Sequence, residues 1–236
     1  MKPISLKCVF VLFAFSCLGH DVPVHRAITT SAVNSSKGFL LYLQDNNYTT
    51  NTLFLYPKGQ VGPPGGVMAS AKGIALAQIV NGSAREDDAQ EDEGGSRSLN
   101  HFYDPTTKKG LDTAIGGRPS SEWATMFDDI NWTPHWGGVN YYSWQNARVY
   151  QSNSIVSASP TFRNAQAGYM FRSVGQVMHL LEDTTQPQHV RDEQHLDKSP
   201  FTGKDTKYRS KFEDYGTHNL NTIKINGYLA HTNFDW

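Results

Sequence analysis

The sequence predicts an all-α fold built as one helical domain. The longest candidate helix covers residues 160–183, where apolar side chains recur near the 3.6-residue helical period. No segment shows the sustained alternation of apolar and polar residues that is typical of a half-buried strand, and no internal repeat is visible. The chain has 236 residues and is 38% hydrophobic, which is enough to bury one sizeable core. We therefore expect long loops to deliver functional side chains to a cleft between helices.

Four helices are expected along the chain, each from an apolar face. Their ranges are 25–42, 68–80, 141–152 and 160–183. Asn, Pro and Gly interrupt residues 46–64, so we expect a loop there. Residues 101–138 are rich in Gly, Pro and Lys and are expected to be irregular. Pro187 fits a chain in which the last of these helices has already ended.

The first 19 residues have the pattern of a secretory signal peptide. A short basic start precedes an apolar run over residues 8–18 that is too short to span a bilayer. Cys17 and Gly19 are small residues three and one before a cleavage site that would leave His20 as the first residue. A lipoprotein acylated at Cys17 remains an alternative, although the preceding residues fit its small-residue box poorly. The expected product is one domain, residues 20–236, secreted or periplasmic.

Composition narrows the possible functions. The two cysteines, Cys8 and Cys17, both lie in the leader, so the mature protein is expected to have no thiol catalysis, disulfide or Cys-type zinc site. The formal net charge is −1, so the chain lacks the basic excess that binding to duplex nucleic acid requires. Core burial and bound metal are then the expected sources of stability.

The segment from residue 179 to 195 carries three histidines and a carboxylate at metal-ligand spacing. His179 and Asp183 are four residues apart, so on a helix they can face the same ion. A turn at Pro187 can bring His189 to the site from another direction. Imidazole and carboxylate ligands without thiolate suit zinc. A lone His–Asp pair is more commonly a buried hydrogen-bonded pair, so this prediction depends on ligands elsewhere.

Two earlier segments supply such ligands. Residues 81–88 read Asn-Gly-Ser-Ala-Arg-Glu-Asp-Asp, and residues 100–105 read Asn-His-Phe-Tyr-Asp-Pro. With them the chain resembles the zinc-dependent phospholipase C family, which shares its fold with the zinc-dependent single-strand nucleases. That family carries a Gly-initiated turn ending in a ligand Asp, then a His-Phe-Tyr-Asp-Pro segment, then a His-x-x-x-Asp-x-x-x-x-x-His run on a long helix. The same order and the same interval between the first two segments are present here.

The resemblance implies two to three zinc ions. The implied ligands of the first two ions are Asp87, His101, His179 and Asp183, together with His25 and the backbone of His20. Asp183 is expected to bridge these two ions. The family usually begins with Trp where this chain has His20, and cleavage one residue later would shift that site. Most carboxylates of the acidic run 86–93 are expected to be solvated.

The third implied zinc is where the chain departs from the family. Its implied ligands are His189 and a His-x-x-x-Glu pair, of which Glu213 is present, but Arg209 stands in place of the histidine and cannot bind zinc. Either His195 replaces the missing ligand or this ion is weak or absent. Relatives also continue for several helices beyond Glu213, so C-terminal truncation is an open alternative.

The activity that the resemblance implies is hydrolysis of phosphodiester bonds by zinc-activated water, with Asp87 as the general base. A phospholipid or another phosphodiester is the expected substrate, reached through transient contact with a membrane surface. Two alternatives remain: a single-strand nuclease or nucleotidase of the same fold, and an inactive zinc-stabilised binding protein.

An aromatic cluster near the middle of the chain permits two interpretations. It comprises Trp123, Trp132, Trp136, Tyr141, Tyr142 and Trp144. These rings are expected either to pack in the core or to form a wall of the substrate cleft, where they would cover acyl chains or stack on bases.

Overall fold

Helices account for most of the chain that the structure describes. The computed structural model describes residues 22–55, 72–87, 97–111, 117–125, 140–191 and 210–220. The α-helices are α1 Val22–Ser35, α2 Lys37–Asp45, α3 Ala75–Asp87, α4 Ser120–Thr125, α5 Trp144–Val156, α6 Pro160–Asp183, α7 Pro187–Val190 and α8 Lys211–His218. Arg97–Asn100 forms a 3-10 turn, and β1 Leu53–Leu55 pairs antiparallel with β2 Lys72–Ile74. The prediction of a helical single domain is confirmed.

Helix α6 begins and ends where the sequence predicts. The hydroxyl of Ser159 caps it by accepting a hydrogen bond from the backbone N–H of Phe162 at 3.3 Å, and Pro160 occupies the first helical turn, where no N–H partner is needed. The helix ends at Asp183, before Pro187, which opens the short helix α7. Predicted helix 141–152 is observed three to four residues later, because Ser143 caps α5 in the same way.

Two other predicted helices require correction. The predicted helix 25–42 is two helices, separated at Ser36, whose hydroxyl caps α2 by accepting from Phe39 N at 3.1 Å. The predicted helix 68–80 is displaced: β2 precedes α3, which continues to Asp87. The partner strand β1 lies inside the predicted loop 46–64. The sequence did not indicate these strands because three residues are too few to show an alternation pattern. Asn164 on α6 holds β1 in place: its side-chain oxygen accepts a hydrogen bond from Leu55 N, and its side-chain nitrogen donates one to Leu53 O.

Helices α3 and α6 meet backbone to backbone at two glycines. A side chain at Gly82 would collide with the carbonyl oxygen of Arg172, and one at Gly175 would collide with the carbonyl oxygen of Ile79. Glycine is required at such positions because no other residue lets two backbones approach so closely. The contact fixes how the two helices lie along each other, and therefore where their C-terminal ends meet.

The main hydrophobic core includes residues of both helices. It is built mainly from Phe54, Phe171, Ile79, Tyr150 and Tyr142, with Phe54 and Phe171 in edge-to-face contact at 4.9 Å. Within the predicted aromatic cluster, Trp123 and Tyr142 are buried and Trp144 is 47% exposed, which supports core packing for the first two. Trp132 and Trp136 lie outside the described residues. No helix in the described ranges has both the length and the apolar composition to cross a membrane.

Substitution of Gly175 by Ala is expected to lower the free energy of unfolding by about 1–3 kcal/mol or more, because the new methyl group must push α6 away from the Ile79 carbonyl. Urea unfolding measures the change. Gly38→Ala is the matched control: an added Cβ there has its nearest neighbour, Ser36 Oγ, 3.9 Å away, so the variant should be neutral or stabilised by up to about 1 kcal/mol. Equal effects at both positions would contradict the close contact.

Candidate metal centre

The ends of α3 and α6 bring six of the nine predicted site residues into one buried cluster. These are His25, Asp87, His101, His179, Asp183 and His189, all with 0–4% exposure. Asp87 and Asp183 are the last residues of α3 and α6, His25 belongs to the first half of α1, His101 follows the 3-10 turn, and His189 lies in α7. His179 and Asp183 share one face of α6 at four-residue spacing, as predicted, with His179 Nε2 3.2 Å from Asp183 Oδ2.

Four of these side chains point one atom each toward a common space. His101 Nδ1 lies 3.4 Å from His179 Nε2, 3.4 Å from Asp87 Oδ1 and 3.0 Å from Asp183 Oδ2. His179 Nε2 lies 3.6 Å from Asp87 Oδ1. Ligand atoms about 2.0–2.2 Å from a tetrahedral zinc are about 3.3–3.6 Å from each other. The separations among Asp87, His101 and His179 therefore have the size of the edges of a zinc coordination tetrahedron.

His25 extends the cluster on the opposite side of Asp183. Its Nε2 is 3.4 Å from Asp183 Oδ1 and 3.8 Å from Asp87 Oδ2, so the two oxygens of Asp183 face different histidines. Among the described residues, two overlapping buried triads could hold metal ions. They are His25–His179–Asp183 and Asp87–His101–His179.

The donor atoms of the cluster fit a divalent cation. No well-formed hydrogen bond from a described residue reaches either carboxylate oxygen of Asp87 or of Asp183, although ring nitrogens lie 3.0–3.8 Å away. Burying an ionised carboxylate is unfavourable unless it is paired, hydrogen-bonded or bound to metal. Imidazole and carboxylate donors without thiolate are a ligand set that zinc accepts.

His189 and Glu213 are also buried, but neither belongs to a triad. His189 Nδ1 lies 3.1 Å from the carbonyl oxygen of His101 and 3.6 Å from Asp183 Oδ2. Glu213 Oε1 accepts a hydrogen bond from Gln186 Nε2 at 2.8 Å. Three further residues of the sequence analysis, His20, His195 and Arg209, lie outside the described residues.

One expectation for the acidic segment is wrong, and one of its carboxylates is an exception to the expected solvation. Gly82 does not initiate a turn, because residues 82–87 are the last turns of α3 and the glycine serves the contact with α6. Glu86 is not solvated. Its Oε2 accepts hydrogen bonds from Arg97 Nε and Nη2 at 3.2 and 2.6 Å, and its Oε1 accepts from Trp123 Nε1 at 2.7 Å. Burial would raise the pKa of Glu86, but the charge of Arg97 lowers it, so the group remains ionised.

A second buried glutamate, Glu182, was also missed. Its Oε2 lies 2.6 Å from His25 Nδ1. Glu86 and Glu182 each stand directly before an aspartate of the cluster, as the pairs Glu86-Asp87 and Glu182-Asp183. That repeated dipeptide is the signal that could have indicated them.

Burial and mutual contact shift the pKa values of the cluster in opposite directions. Burial raises the pKa of Asp87 to about 7, against the opposing charges of His101 and His25. Burial alone would lower the pKa of His25, but contact with Asp183 and Glu182 raises it to about 10. Burial and the neighbouring His25 lower the pKa of His179 to about 3. The metal-free cluster therefore holds protons at neutral pH that a bound cation would have to displace.

Comparison with known proteins does not place the chain in a family: no protein-family model, curated protein or solved structure matches it.

With a chelator present, the free energy of unfolding is expected to fall as pH rises from 7.5 to 9. The raised pKa of His25, about 10, means that the folded protein keeps a proton that the unfolded chain loses near pH 6.5. The stabilisation is complete below pH 6.5 and is lost toward pH 10, at up to about 1.4 kcal/mol per pH unit for one proton. The raised pKa of Asp87 also makes the free energy of unfolding fall as pH rises, but only up to about pH 7. The lowered pKa of His179 makes the free energy of unfolding rise with pH, but only below pH 6.5.

Urea titrations between pH 7.5 and 9 measure the slope of the free energy of unfolding against pH. His25→Gln is expected to flatten it, whereas His218→Ala, which removes an exposed histidine of α8, should leave it unchanged. A stability that rises with pH in the wild-type protein would contradict the protonated state of His25.

Proposed function

We propose that this protein is a zinc-dependent hydrolase of phosphodiester bonds, similar to phospholipase C in its chemistry. The observation that carries the proposal is the buried triad of His101, His179 and Asp87, whose donor atoms lie 3.4–3.6 Å apart, with Asp183 Oδ2 3.0–3.2 Å from both histidines. The sequence motifs from which the resemblance to this family was inferred supply the same four residues.

Two to three zinc ions are proposed. The first would be held by the four side chains just named, and the second by His25, by the other oxygen of Asp183 and by the backbone of His20. A third would use His189, Glu213 and His195. Bound zinc would supply a Lewis acid for phosphate oxygens and a water that ionises near neutral pH.

Asp87 is proposed as the general base. Its Oδ1 faces His101 and His179, whereas its Oδ2 faces His25 at 3.8 Å, so its two oxygens serve different sides of the cluster. Burial keeps its pKa near neutrality in the metal-free protein, which is the range in which a carboxylate accepts and returns a proton most readily at working pH. Arg97 and Trp123 hold the adjacent Glu86 and so fix the end of α3 that carries Asp87.

A phospholipid is the proposed substrate. Large apolar side chains are exposed on elements that carry the site: Leu181 at the end of α6 is 67% exposed and Tyr215 on α8 is 69% exposed. Such residues suit transient contact with a lipid surface, and the net charge of −1 gives little attraction for a polyanion. Secretion through the signal peptide at residues 1–19 is part of the same proposal.

Asp183→Asn is expected to reduce bound zinc and to lower hydrolysis of phosphatidylcholine by more than the ten- to hundredfold that loss of an outer-shell group typically causes. One oxygen of Asp183 faces His101 and His179 and the other faces His25, so its loss should affect two ions. Elemental analysis gives the zinc per chain, and release of the phosphorylated head group gives the rate. Asp45→Asn, at an exposed position on α2, is the control and should change neither quantity.

The same preparation separates the alternatives. Two to three zinc ions with lipid hydrolysis support the proposal. Hydrolysis of single-stranded DNA without lipid hydrolysis would identify the nuclease alternative, and bound zinc without turnover of either substrate would identify a binding protein. A wild-type chain that binds no zinc would overturn the ligand assignment itself.

A further inference from the structure

We propose that Glu182 is a positioning residue that fixes the tautomer and orientation of His25, so that Nε2 of that ring faces the cluster. This inference rests on the proposed function, because it assigns His25 a particular ligand atom. Glu182 is not one of the proposed zinc ligands, so its role is additional to theirs. Histidine ligands commonly donate their second ring N–H to a carboxylate, which sets the ring orientation and raises its basicity.

The distances determine which ring nitrogen has which role. His25 Nδ1 lies 2.6 Å from Glu182 Oε2, the shortest polar contact that either side chain makes in the described residues. The ionised carboxylate only accepts, so Nδ1 must carry the proton. Nε2 then points to the opposite side of the ring, 3.4 Å from Asp183 Oδ1 and 3.8 Å from Asp87 Oδ2. In neutral His25 the lone pair is therefore on the nitrogen that faces the aspartates.

Glu182 is itself held from a second helix. The hydroxyl of Thr29 on α1 lies 2.9 Å from Glu182 Oε1 and 2.9 Å from Ser83 Oγ on α3. Thr29 is the donor toward both oxygens, so its single proton is shared between Glu182 and Ser83. All three side chains are buried. The chain Ser83–Thr29–Glu182–His25 thus connects α3, α1 and α6 and ends on the ring.

Glu86 provides an internal comparison. It precedes the other aspartate and faces His101, but its oxygens are already engaged by Arg97 and Trp123, and Oε1 remains 3.8 Å from His101 Nε2. Among the described residues, Glu182 has no such guanidinium partner, and its shortest hydrogen bond is to a histidine of the cluster. The two glutamates are therefore not equivalent, and Glu182 is the one placed to orient a ring.

The first test needs no variant. Long-range 15N–1H NMR spectra of the zinc-loaded wild-type chain, labelled at histidine, report which ring nitrogen carries the proton. The signals of His25 are assigned by their absence in His25→Gln. Protonated Nδ1 with metal-bound Nε2 is expected. Protonated Nε2, or a His25 ring whose signals do not change when zinc is added, would overturn the inference.

The second test separates orientation from folding. Glu182→Ala should weaken the binding of one zinc by about 10–100-fold in chelator competition. Glu182→Gln keeps an acceptor at the same length, so its loss should be smaller and the Nδ1 proton should remain. Gln166→Ala is the matched control: Gln166 is equally buried on α6 and bonded to Asn153, but it lies more than three turns before His179.

The outcomes distinguish this inference from the proposed function. Unchanged zinc affinity in Glu182→Ala, with a wild-type chain that binds zinc and hydrolyses substrate, would overturn the role of Glu182 and leave the function standing. Equal losses of zinc affinity in Glu182→Ala and Gln166→Ala would mean that Glu182 supports the fold and does not orient His25. A wild-type chain that binds no zinc would overturn both proposals. If Glu182→Ala does not fold, the Gln variant and the wild-type spectra still decide.

Discussion

Helices α3 and α6 approach each other through Gly82 and Gly175, where any larger residue would strike a backbone carbonyl of the partner helix, and the position of the buried cluster follows from this contact. The two helices end together, so their last residues, Asp87 and Asp183, face the same histidines. A shift of either helix along the other would separate these groups by several ångströms, since each residue advances a helix by about 1.5 Å.

This arrangement places negative charge where a helix tolerates it least. Glu86, Asp87, Glu182 and Asp183 lie in the final turns of α3 and α6, at the negative ends of the helix dipoles. Arg97 neutralises Glu86, and protonated His25 lies against the other three. The folded protein must therefore compensate this negative charge, by protons on the histidines or on the carboxylates themselves or by bound cations.

The sequence predicted the parts of this arrangement that are local. The range of α6 and the shared face of His179 and Asp183 follow from periodicity and a serine cap, which act within a few residues. The role of Gly82 did not follow, because a glycine that starts a turn and one that admits a neighbouring helix look alike in one dimension. The burial of Glu86 and Glu182 depends on partners 11 and 157 residues away, Arg97 and His25, and no spacing rule connects such pairs.

The helix contact at Gly82 and Gly175 also sets an order of events in folding. The residues that meet there are roughly a hundred positions apart, so a long loop must close before either helix gains from the packing, and contacts of this range slow folding. His25 emerges early in synthesis and Asp183 late. A growing chain can form α1 and α3, but it cannot assemble the buried cluster until Asp183 and His189 have been made.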